Sequence, residues 1–254
     1  MVGLGTIINV AAIVVGSLIG IGLGHRLPER TRAVVTDSLG MLVLVIAALN
    51  IVALRDQDWI SEVGGSATLL IVLGSLIIGG ILGSFLRIES RLESVGGWLQ
   101  TKFSRGEGSA GRARFIEGFV DASLLFCIGP LAILGALSDG LGTGIDQLAL
   151  KAALDGFASI AFAASLGWGV IAAAISVIIV QGFFTIVALF AGPFLSSALI
   201  ASITATGGVL LIGVGLRVLR IRNVAVGDLL PALIVAPILT MIVATGMDMG
   251  SKFT

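Results

Sequence analysis

The chain has 254 residues, 57% of them hydrophobic and 12% charged, with a mean hydropathy of +1.13. A soluble domain carries about 25% charged residues, so these charges cannot cover a water-facing surface and the expected solvent is lipid. Lys+Arg and Asp+Glu number 15 each, which leaves no bulk charge to attract nucleic acid or an acidic substrate.

Cys127 is the only cysteine and His25 the only histidine. That excludes an intrachain disulfide and disfavours an N/S metal cage. The sequence has no Walker loop, paired-histidine motif or recognisable catalytic triad. Ser123 and Ser159 lie near Asp121 and Asp155, but the only histidine is in a loop and no base is in reach. No cofactor, metal or enzyme activity is expected.

A helical span needs about 20 apolar residues. The first run, 3–23, has no basic residue before it and is too long for a signal-peptide core, so it reads as a retained helix entered from outside. Further runs follow at roughly 33–54, 65–86, 117–138, 149–166, 169–190, 199–216 and 229–247. Only Gly167 and Trp168 separate the fifth from the sixth, so a seven-span count competes there.

Charge placement decides between the counts. Arg26, Arg30 and Arg32 follow the first span. Arg87, Arg91, Lys102, Arg105, Arg112 and Arg114 follow the third, and Arg217, Arg220 and Arg222 the seventh. With eight spans these twelve of the fifteen basic residues share one face, the cytoplasmic face by the positive-inside rule. Both termini then lie outside, with Arg55, Lys151 and Lys252 on their side. The expected fold is an all-α polytopic bundle of about eight spans, forming one transmembrane domain over 1–254.

Within the cytoplasmic loop 87–114, Ile88, Leu92, Val95, Leu99 and Phe103 recur at helical spacing. They suggest a short interfacial helix, which Gly96-Gly97 weakens by about 1 kcal/mol per glycine. Ser104 to Gly111 reads as a flexible tether. Small residues let helices approach closely in lipid. Gly16, Gly20 and Gly24, Gly79 and Gly83, and the Ala158–Ser165 stretch therefore read as faces that hold the bundle, or a homo-oligomer, together.

An offset of 168 residues lays spans one and two on spans six and seven. It matches Ala33, Thr36, Gly40 and Leu42 with Ala201, Thr204, Gly208 and Leu210. The paired spans run in opposite directions, the pattern of an inverted repeat.

Charges inside spans are costly, on the order of 2.5–3.5 kcal/mol at the centre by insertion scales. Asp121 and Asp155 approach the core from opposite faces and form a candidate polar path. Lys151, one helical turn before Asp155, is placed to neutralise it, and Arg114 or a neighbouring helix could do the same for Glu117 and Asp121. Asp37 reads as interfacial. Gly129-Pro130 falls in mid-span, where proline offers no N–H to the carbonyl of Phe126, so the helix should kink or break there. Pro231 and Pro237 make weaker cases in the last span. Asn9, Asn50 and Gln181 are uncharged polar groups suited to interhelical hydrogen bonds or to lining a path.

The opening Gly3-Leu4-Gly5-Thr6-Ile7-Ile8-Asn9-Val10 resembles the start of the YqgA/YdfK-like bacterial membrane proteins, a domain-of-unknown-function family. So do Phe126-Cys127-Ile128-Gly129-Pro130, the run from Leu154 to Phe162, and Leu229-Leu230-Pro231-Ala232-Leu233. The resemblance covers nearly the whole chain. It implies a bacterial inner-membrane protein, in some members labelled a transporter, with no catalytic residues to carry over. Together with the buried charges this predicts a secondary transporter or permease for a small solute or ion. A non-transporting scaffold or assembly factor is the alternative, and a lipid-acting enzyme ranks third.

Overall fold

A computed structural model describes residues 2–24, 28–103, 109–128, 130–191 and 196–251. His25, Arg26, the stretch 104–108, Gly129 and Lys252 lie outside the described residues. Every regular element among the described residues is helical. In chain order these are α1 (Leu4–Gly24), α2 (Glu29–Ile51), a 3-10 turn (Val52–Arg55), α3 (Gln57–Val63), α4 (Gly65–Leu86), α5 (Ile88–Phe103), α6 (Ser109–Cys127) and α7 (Pro130–Gly140). Then come α8 (Asp146–Leu166), α9 (Gly169–Ala191), α10 (Ser197–Val218), α11 (Val226–Leu229) and α12 (Ala232–Ser251).

Among the described residues, seven helical segments are long and apolar enough to cross a membrane singly, α11 and α12 counting as one. The fourth expected span is instead the pair α6 and α7, which meet at 78°. Neighbouring helices show that this bent pair crosses as one. Gly16, Gly20 and Gly24 of α1 sit against the backbone of Gly156, Ile160 and Ala164 of α8, so residue numbers rise together and the two helices are parallel. Parallel docking requires an odd number of crossings between them, and α2, α4 and the α6–α7 pair make three. Gly118 meets Leu166 and Gly169 at one end of the pair, and Gly140 meets Thr185 and Ala188 at the other. The pair therefore runs the full length of α9, in the same direction.

The remaining packing agrees. Gly40 faces Leu219 while Gly208 faces Ala47 and Ile51, making α2 and α10 antiparallel. Gly83 meets Asp228, Gly79 meets Ala232 and Gly74 meets Leu239, so α4 runs antiparallel to α11–α12. The spans matched by the 168-residue offset, α1 with α9 and α2 with α10, pack directly on each other.

The α8–α9 boundary has a local cause. Gly167 closes α8 at φ 77°, in the left-handed region that glycine enters without strain. The Arg-bearing segments gather at one end. Arg114 and Arg220 line one cavity there with Glu29, and Arg217, Arg220 and Arg222 line another with Glu93.

Three local outcomes depart from the expectations above. α6 already begins at Ser109, so the expected tether is shorter than read. The glycine pair of α5 is a contact surface: Gly96 faces Phe119 and Ile116 of α6, and Leu92 and Leu99 turn toward the core while Val95 is exposed. Between the second and third expected spans, where no element is expected, Gln57–Val63 form α3. Asp56 caps it by accepting from the Trp59 N–H at 2.9 Å, and Trp59 is fully buried with Ala198, Ala201 and Ala205 of α10.

A leucine at Gly20 would drive its side chain into the Ile160 carbonyl, whereas Gly22 faces open space on the same helix. Gly20→Leu should lower the unfolding free energy in detergent by about 1–3 kcal/mol, with Gly22→Leu close to neutral. Equal melting of the two variants would disprove the α1–α8 docking.

Candidate functional site

Two charged clusters lie inside the bundle. The first is built on α8, where Lys151 and Asp155 sit one turn apart on one face. Lys151 Nζ lies 2.7 Å from Asp155 Oδ2 and donates to Oδ1 at 3.0 Å. Because α1 docks in parallel, Asn9 reaches the same carboxylate, its Nδ2 donating to Asp155 Oδ2 at 3.1 Å. Asn9 is fully buried, and its own carbonyl oxygen has no hydrogen-bond partner among the described residues. Asp155 stands near the middle of the 21-residue α8.

This cluster borders a cavity of about 170 Å³ between α2 and α8, floored by α6, α7 and α10. Its polar lining is Lys151, Asp155 and Asn50; the rest is aliphatic or aromatic, including Leu125, Ile128, Leu131, Phe162 and Leu211. Ile128 and Leu131 flank the α6–α7 break, so the cavity lies where the span is interrupted. Pro130 begins α7. Leu42, Ile46 and Leu154 on the rim are exposed on the lipid-facing side of the bundle.

The second cluster closes the Arg-rich end. Arg217 at the end of α10 pairs with Glu89 of α5, and its Nε stands 2.7 Å from Asp121 Oδ1 of α6. The Asp121 contact is ionic without hydrogen-bond alignment, and Asp121 is almost fully buried. Glu89 also accepts from the Gly227 N–H at 2.6 Å, while its own N–H donates to Asp228 Oδ1 at 2.9 Å. This reciprocal exchange fastens α5 to α11. Arg114 is directed elsewhere, donating from Nε to the Ser165 carbonyl at 3.0 Å.

The structure thus brings Asn9, Lys151 and Asp155 together and places Asp121 in a separate cluster. Gln181 of α9 is fully buried, and among the described residues neither its amide atoms nor the Thr185 hydroxyl one turn later has a hydrogen-bond partner. Asp37 is exposed and lines the 310 Å³ cavity with Glu29 and Arg114. Four residues that matter here escaped the sequence reading. Glu89 and Asp228 look like loop carboxylates in the sequence. Arg217 looks like one more positive-inside arginine. Asp139 accepts from the N–H groups of Gly3 and Gly5 at 3.1 and 3.0 Å, holding the start of α1. A helix start with no capping side chain of its own was the signal for Asp139.

A bundle of apolar helices holding a buried ion pair beside an interrupted span defines a polytopic membrane protein. More narrowly, the chain belongs to the family described as "Protein of unknown function (DUF554)", whose model matches residues 4–241. It is 30% identical to the "Uncharacterized membrane protein YdfK" of Bacillus subtilis (strain 168) over 239 residues, 94% of this chain and 96% of that protein. It is 29% identical to the "Uncharacterized protein YqgA" of Escherichia coli (strain K12) over 233 residues, 92% of this chain and 94% of that one. No solved structure matches.

Removing one partner of a buried pair leaves the other charge uncompensated. Lys151→Met should therefore cost about 3–5 kcal/mol of stability, and adding Asp155→Leu should restore most of it. Chemical denaturation in micelles measures both; a neutral Lys151→Met would mean the pair is fully hydrated.

Proposed function

We propose that the chain is a secondary transporter or permease for a small solute or ion, with Asn9, Lys151 and Asp155 as its intramembrane site. The observation that carries this reading is a fully formed ion pair near the middle of a spanning helix, bordering a cavity at a broken span. Ionisable groups at that depth are costly and mark substrate or ion pathways. Interrupted helices at membrane depth are tolerated where their backbone lines a cavity or is buried in protein. The α6–α7 break, with Ile128 and Leu131 on the cavity wall, has that form. The unpartnered polar atoms of Asn9, Gln181 and Thr185 add groups that water or a solute can satisfy.

In this scheme the Glu89–Arg217–Asp121 cluster closes the Arg-rich end. That end faces the cytoplasm of a bacterial inner membrane by the positive-inside rule, and both termini face outside. The site binds and releases its solute without covalent chemistry.

In sealed proteoliposomes, Asp155→Asn should reduce solute or proton flux by about tenfold or more while the protein stays folded. Asp121→Asn should alter flux through loss of its pairing with Arg217. Unchanged flux in both variants would remove the reading. Orientation is tested separately with impermeant thiol reagents in cells. Thr101→Cys on α5 should label only from the cytoplasm and Thr143→Cys, after α7, only from outside; the reverse pattern inverts the topology.

A further inference from the structure

The cavity between α2 and α8 has a composition that selects among solutes. Its walls are apolar, and its charges are one cation and one anion held 2.7 Å apart at the same end. The site is therefore neutral as a whole. A ligand with a net charge would leave that charge uncompensated among aliphatic side chains, which the surroundings oppose. A zwitterion has no such penalty, because its two charges can exchange with the two already present. Its carboxylate takes Lys151 and its ammonium takes Asp155. Asn9 of α1 donates to Asp155 and holds its carboxylate in place.

The rest of the cavity sets the body of the ligand. A dry engineered cavity of about 150 Å³ accommodates benzene, so about 170 Å³ suits a branched aliphatic or aromatic group of similar size. Leu125, Ile128, Phe162 and Leu211 supply the apolar contacts, and among the described residues Asn50 is the one other polar group on the wall.

We infer that the cavity beside Lys151 and Asp155 binds a small zwitterion with an apolar body, of the hydrophobic amino-acid class. The inference rests on the permease reading for the ligand's movement, while binding itself is an equilibrium property of the site. Zwitterionic lipid headgroups share the ammonium–anion chemistry, and the lipid-facing rim formed by Leu42, Ile46 and Leu154 would admit them. The volume favours the smaller molecule.

Radiolabelled leucine binding to the full chain in nanodiscs of phosphatidylglycerol, which contain no zwitterionic lipid, tests this. Leucine should bind saturably. Leucinamide, 4-methylpentanoate and glycine, which lack the carboxylate, the amine and the apolar body respectively, should bind roughly tenfold or more weakly. Ala158→Leu, which fills the cavity from a half-buried helical position and keeps both charged side chains, should abolish binding and leave the melting temperature near that of the unmodified chain. Leucinamide or 4-methylpentanoate matching leucine would overturn the inference, as would full binding by a folded Ala158→Leu chain. Displacement of leucine by phosphatidylethanolamine added at membrane mole fractions would assign the site to lipid and overturn it also. Leucine binding without flux would remove the permease reading and leave this one standing; flux of another solute without leucine binding would do the reverse.

Discussion

Hydrocarbon offers a charged side chain no solvent partner, and that constraint organises this molecule. Each charge drawn into the bundle has to find its complement on protein, at a distance fixed by helix packing. Lys151 meets Asp155 on its own helix, where the geometry is local. Arg217, Glu89 and Asp121 come from three helices and meet only because the bundle is assembled. The two clusters differ accordingly in what they hold. The first is almost self-contained, and the second ties α5, α6 and α10 together and, through Gly227 and Asp228, the start of the last span.

Close backbone approach decides which charges meet. In lipid the apolar side chains gain little by leaving their surroundings, so helix pairs form where small residues allow tight van der Waals contact. The glycines of α1 lay its backbone on that of α8, and this carries Asn9 to Asp155. Gly83 admits the Asp228 carbonyl, which brings α11 under the start of α5 and sets Glu89 against Gly227. The residues that position the polar groups are thus the ones with no side chain at all.

The distinction between local and assembled contacts also explains what could be read from the sequence. Eight apolar runs and one-sided arginines foretold the crossings, since length and charge are properties of single segments. The Lys151–Asp155 pair follows from helical periodicity alone. Gly129-Pro130 marked a break, although the 78° bend between α6 and α7 depends on how each half packs against its neighbours. Asp121 and Arg217 lie almost a hundred residues apart, and their pairing leaves no periodic trace. The burial of Trp59 in α3 leaves no trace in the sequence, because a seven-residue helix is too short to show a hydrophobic pattern. Asp139 as the acceptor for the first turn of α1 depends likewise on two chain ends meeting in space.

α6 links the two clusters mechanically. Asp121 and Leu125 lie one turn apart on α6, and Ile128, whose N–H still bonds the Leu124 carbonyl, continues the same side just past its end. Asp121 faces Arg217 at the Arg-rich end, while Leu125 and Ile128 form part of the cavity wall next to the break. A rigid helix cannot rotate or tilt at one of these points without displacing the other. Beyond the interruption, α7 carries Asp139, which holds the start of α1. On the permease reading, a movement of α6 at the cavity wall therefore also reaches the contact between Asp121 and Arg217.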